Sequence, residues 1–170
     1  MEKPKLNNEI LRRLRSDKPG LVIPVLNHLR QSIHAAAYLP EVINLLHDTQ
    51  NEETRREVSF FLNDFKDPGG IPNIIDALNN DRFKPVLNII TSACWQSGLD
   101  FSNNLDTFIR ILLKEDYITS LEAFSVIEQS IPHLEEKKLG YYRKQLAEGL
   151  TQVDKEKAPL VREMIKIMEE

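Results

Sequence analysis

Leucine returns at positions 14, 46, 78, 112 and 146, a column held through spacings of 32, 32, 34 and 34 residues. A period in the range of roughly 20 to 50 residues means stacked copies of one small structural unit rather than a single irregular core. Four residues before each leucine stands a second apolar position: Ile10, Val42, Ile74, Phe108 and Tyr142. Residues four apart lie one above the other on a helix, so each pair points the same way. The stretches "LPEVINLLHD" from Leu39 and "IPNIIDALNN" from Ile71 show the repeat directly, with proline second in both. Proline fits the first helical turn, where its missing N–H is not needed.

The same offsets applied to the second half of each unit collect Leu26, Val58, Ile90, Phe124 and Ala158, then Leu29, Phe61, Ala93, Ile127 and Val161. A third column, Ile33, Phe65, Ser97, Ile131 and Ile165, breaks only at Ser97. Positions i, i+3 and i+7 form the stripe of a helix buried on one side. Each unit is therefore a pair of helices, and the units fall at about 6–37, 38–69, 70–102, 103–134 and 135–170 within a single domain spanning 1–170. The patterning predicts helices over about 6–15, 21–34, 39–48, 52–66, 71–79, 84–97, 103–114, 118–130, 135–149 and 155–168. "AAAY" at Ala35–Tyr38 is expected to be a tight crossing, and "DPGG", "NNDRFKP" and "KEDYITS" to be turns. No stretch reads as a strand.

A helix pair this short cannot cover its own apolar stripe, so neighbouring pairs must stack. The last pair, with Tyr142, Arg143 and "VREMIKIMEE", is more polar and is expected to cap the stack, and "MEKPK" to fray ahead of it. This pattern, with proline opening the first helix and smaller residues in the second, resembles the HEAT-repeat superfamily from about Leu6 to Met168. The short units are closer to bacterial HEAT-like proteins, and the family's turn aspartate followed by a basic residue is kept only in part, as Asp81 with Lys84. The resemblance implies an all-α, right-handed α-α superhelix, an armadillo-like solenoid of about five helical hairpins. Tetratricopeptide repeats share the 34-residue period, but their Trp, Gly and Tyr positions in the first helix are filled here by Leu, Ile and Phe.

Composition limits the classes of function. The chain has 170 residues, 41% hydrophobic and 28% charged, with one cysteine, so it can build a core without disulfides or metal. The sequence as it stands shows no basic-then-apolar leader and no membrane-length apolar run, and a cytoplasmic location without membrane contact is expected. Residues 1–18 hold six basic and three acidic groups, 19–134 eight and fifteen, and 135–170 eight and eight. An acidic body repels a phosphate backbone, so no nucleic-acid partner is expected. "LRRLR" at Leu11–Arg15 is a short solvated face.

Chemistry-bearing residues do not converge. His28, His34, His47 and His133 fall in different units without metal-ligand spacing, so no metal is expected. "PGGIPN" lacks the strand and the Lys-Ser/Thr ending of a phosphate cradle. Glu52 with Glu53, and Glu115 with Asp116, sit at helix beginnings, where acids complement the dipole. No serine stands in a nucleophile elbow. An enzyme is not expected, nor a cofactor.

The single tryptophan and the single cysteine adjoin in "TSACWQSG". At about 100° per residue, Cys94 falls at the edge of the buried stripe and Trp95 about 180° from the core direction. Cys94 is then a small apolar filler, and Trp95 an outward aromatic in a polar column with Gln31, Asn63, Gln129 and Glu163. In a HEAT-like stack the second helices line the concave surface. The expected function is a non-catalytic scaffold holding a protein or peptide partner there, with Trp95 as anchor and Asn63, Thr91, Asn88, Gln129, Ser59 and Arg56 as polar contacts. A monomer or weak homo-oligomer would suffice. The opposing readings pack Trp95 against Phe60, Val126 or a neighbouring helix, or make it a stacking site for a base or cofactor. Two enzyme classes also resemble HEAT repeats. A DNA-repair glycosylase would need a basic groove, and a bilin-attaching lyase a cluster of aromatics and acids.

Overall fold

The computed structural model describes residues 6–16 and 18–169, so the expectation for "MEKPK" lies outside the described residues. Among the described residues there are ten α-helices and no strand. They are α1 (Asn8–Leu14), α2 (Pro19–Arg30), α3 (Ala35–Asp48), α4 (Glu52–Asn63), α5 (Ile71–Leu78), α6 (Leu87–Ser97), α7 (Leu105–Lys114), α8 (Tyr117–Ser130), α9 (Glu136–Gly149) and α10 (Ala158–Ile167). The chain divides into two compact units, Met1–Leu99 and Asp100–Glu170.

In the first unit α1 packs on α2, α3 on α4 and α5 on α6. First helices also pack on first helices, α1 on α3 and α3 on α5, and second on second, α2 on α4 and α4 on α6. In the second unit α7 pairs with α8 and α9 with α10, while α7 meets α9 and α8 meets α10. Each unit is thus two layers of helices around one apolar seam, the arrangement that covers a stripe too wide for a single hairpin. All five column leucines, Leu14, Leu46, Leu78, Leu112 and Leu146, are buried in these seams.

Side-chain caps start α1, α4 and α8. Asn51 accepts the Thr54 N–H at 2.9 Å, and Asp116 accepts that of Thr119 at 3.0 Å. Glu52 and Glu53 occupy the first turn of α4, where carboxylates meet the positive end of the dipole. "DPGG" is a 3₁₀ turn, with Asp67 accepting the Gly69 N–H at 2.8 Å. In "NNDRFKP", Asp81–Val86 is likewise a 3₁₀ turn. The connection in "KEDYITS" is shorter than expected. Only Glu115 and Asp116 separate α7 from α8, because the Asp116 cap starts the new helix at Tyr117.

Two further expectations are corrected. Helix α2 stops at Arg30, so Ile33 lies in the loop and is 87% exposed instead of extending the buried stripe. "AAAY" is the first turn of α3, not a crossing between helices. Starting α3 at Ala35 puts Pro40 inside the helix, where it has no N–H for the carbonyl of Ala36. Asn73, from α5, supplies the missing donor: its Nδ2 reaches that carbonyl at 3.1 Å. We expect Asn73→Ala to lower stability by about 1 kcal/mol in urea melts, since a part-buried carbonyl loses its partner. Asn73→Ser, which keeps a donor, should recover part of the loss.

The C-terminal hairpin is tied in by more than apolar contact. Lys157 is buried, and its ammonium donates to the Leu113 and Glu115 carbonyls at 3.0 and 2.6 Å, satisfying the open end of α7. Tyr142 is buried, as its place in the first-helix column predicts, although the pair it belongs to is the more polar one. Desolvation, followed by the nearby Asp106 carboxylate, holds its phenol above the usual range. Arg143 donates to Glu136 and to the Met168 carbonyl at 2.7 and 3.2 Å.

Candidate functional site

The second helices of the first unit carry most of the candidate residues. Val58, Phe61 and Leu62 fix the buried side of α4. That leaves Arg56 and Phe60 exposed, with Ser59 and Asn63 half-buried beside them. Asn63 Nδ2 donates to Gln96 Oε1 on α6 at 2.9 Å, and Gln96 Nε2 donates to Ser92 Oγ at 2.8 Å. An amide chain therefore bridges the outer sides of α4 and α6. Phe60, 49% exposed, stands on α4 about one turn before Asn63.

Not every expected contact is available. Thr91 is fully buried, and its hydroxyl donates to the Leu87 carbonyl at 2.7 Å. The buried arc of α6 is wide because this helix packs on both α4 and α5, and a threonine that back-bonds to its own helix can enter that arc without an orphaned hydroxyl. Ser59 does the same, donating to the Arg55 carbonyl at 2.8 Å. The hydroxyls of the expected ridge are thus engaged by their own helices, and amides remain as its polar groups. Asn88 is exposed at the start of α6, and Gln129 is exposed on α8 in the second unit.

Trp95 is half-buried rather than fully outward. Gln96, which turns to Asn63, is the residue that follows Trp95 on α6. The structure brings Asn63 together with Gln96 and Ser92. The pattern held a signal for Phe60, which lies about 200° around α4 from Val58 and so faces away from the core. Gln96 and Ser92 carried none, because single polar residues on a solvated helix are common.

Cys94 is 1% exposed, with its thiol donating to the Ile90 carbonyl at 3.2 Å, and burial pushes its pKa up. A thiol held neutral in an apolar wall is a poor nucleophile. Among the described residues, no three His, Cys, Asp or Glu side chains gather as metal ligands would. His47 Nδ1 lies 2.6 Å from Asp48 Oδ1, and with Arg82 this contact holds the Asp48 carboxyl below its usual range.

The basic cluster near the start is paired internally. Glu9 meets Arg12 and Arg13 at 2.8 and 2.7 Å, which lowers its pKa to about 2, and Arg15 meets Glu41 at 2.8 Å. Among the described residues, no helix is long and apolar enough to cross a membrane. No protein-family model matches the chain, and no curated protein matches it either.

Proposed function

We propose that the chain is a non-catalytic, HEAT-like solenoid scaffold that holds another polypeptide along its second-helix layer. The layer pairing inside each unit supports the solenoid part, since first helices stacked on first and second on second are what a superhelix propagates. The observation that carries the binding part is the α4–α6 surface, where an exposed phenylalanine stands beside a cross-helix amide chain. Amides offer donors and acceptors to a partner's backbone, and an aromatic adds apolar area at small entropic cost. Trp95, half-buried on the same helix as Gln96, is the second aromatic of this layer.

Affinity capture from the native organism, followed by titration of the captured partner, tests this reading. Trp95→Ala is expected to weaken the complex by more than about 1–2 kcal/mol, roughly 5- to 30-fold, with helical circular dichroism unchanged. Unchanged affinity together with a lower melting temperature would reduce Trp95 to packing and remove the anchor from the proposal.

A further inference from the structure

A second surface lies wholly within the unit Asp100–Glu170. Helix α8 buries Thr119, Ser120, Ala123, Val126, Ile127 and Ser130 on one side. Its opposite side begins with three large apolar residues in the open, Tyr117, Ile118 and Leu121, at 40%, 63% and 44% exposure. These are three of the seven exposed large hydrophobic residues among the described part of the chain. On a helical projection they share an arc with Ser125, Glu128 and Gln129, so the apolar cluster continues along the helix into a polar, acidic half. Contiguous exposed apolar side chains of this kind mark interaction sites more often than singly scattered ones do.

Charge says what covers them. Helix α8 contains Glu122 and Glu128 and no lysine or arginine, and its cap is Asp116, an exposed carboxylate. Glu128 is exposed and forms no ion pair among the described residues. The neighbouring helices mix signs, α10 with Arg162, Glu163 and Lys166 and α7 with Lys114 at its end and Arg110 paired to Glu115, so the single-signed stretch is α8 with its cap. The unit as a whole has fourteen acidic and ten basic residues, against twelve of each in residues 1–99. We propose that the outward face of α8 docks a cationic amphipathic helix, with Tyr117, Ile118 and Leu121 receiving its apolar side and Asp116 and Glu128 facing its lysines or arginines. A helix suits the site because apolar anchors one turn apart match the spacing of Ile118 and Leu121, and α8, at 14 residues, offers about 20 Å of length. The proposal rests on residues of this unit alone.

The test uses the full chain and a fluorescein-labelled 14-residue leucine/lysine peptide of helical periodicity, followed by anisotropy at low and high salt. Saturable binding is expected, weakened at least about 10-fold by Ile118→Ser with Leu121→Ser. Glu128→Lys should weaken it about 3- to 10-fold at 50 mM salt, with the difference largely gone at 0.5 M as screening shortens the reach of the charge. Tyr141→Ser, at another exposed aromatic, and Trp95→Ala should leave it unchanged, which separates failure here from failure of the α4–α6 reading. No saturable binding, full affinity in the double variant, or equal binding of a leucine/glutamate peptide would overturn the proposal. So would sedimentation showing a dimer that the double variant abolishes, because a second copy would then be the occupant.

Discussion

Leu46→Ala is expected to cost about 2–5 kcal/mol in chemical denaturation, while Ile33→Ala, an equally large truncation also drawn from an apolar column, should cost less than about 0.5 kcal/mol. Leu46 is fully buried in α3, where removing three carbons leaves a cavity that helices packed on two sides cannot close. Ile33 is 87% exposed beyond the end of α2, so its truncation removes almost no buried area. Similar losses at both positions would mean that α2 runs on past Arg30 and buries Ile33, as the repeat columns alone suggest.

Gly70→Ala is the second large effect expected, about 2–3 kcal/mol. A Cβ built there meets Leu39 Cδ1 and lies 2.5 and 2.7 Å from Cε1 and Cζ of Phe65. Leu39 is fully buried and Phe65 nearly so, and an aromatic ring in a filled seam cannot withdraw without moving its neighbours. Gly149→Ala is the control. The three atoms nearest its Cβ all belong to the Leu113 side chain, at 2.5, 2.7 and 3.2 Å, and that side chain is half-buried, with more room to give way than the buried Phe65 ring. Gly149 is the last residue of α9, where alanine regains only part of the helix-interior propensity of about 1 kcal/mol, so a smaller loss than at Gly70 is expected. Thermal melts of the two variants side by side should separate them by several degrees.

The residues that were easiest to read in the sequence are those whose environment repeats. The column leucines, together with Val42, Ile74 and Phe108, lie inside because helix periodicity and unit spacing both point there, and two independent periods leave little freedom. Helix ends were harder, since they depend on single caps. Gln31 closes α2 a turn before the pattern suggests, and Ala35 opens α3 a turn early, so Ile33 and "AAAY" were misplaced by the same local event. The candidate site was legible only by face. Column geometry separates outward from inward positions, but it cannot tell whether a hydroxyl is already satisfied. Thr91 and Ser59 differ from Asn63 in this respect: a hydroxyl reaches the carbonyl four residues back, whereas the amide of Asn63 extends to the next helix. Ile118 and Leu121 stand in a helix on the sequence pattern too; it is Tyr117, read there as part of a turn, that the Asp116 cap adds to the exposed cluster.

The bond from Asn73 to the Ala36 carbonyl bears on how interchangeable these repeats are. Proline at position 40 leaves a gap in its own helix that a side chain of the following repeat fills, so the two repeats are keyed to each other like adjoining stones cut for one joint. Shuffling repeats, or averaging them into a consensus, would separate the proline from the asparagine that answers it. The order of the repeats is therefore part of what the chain specifies.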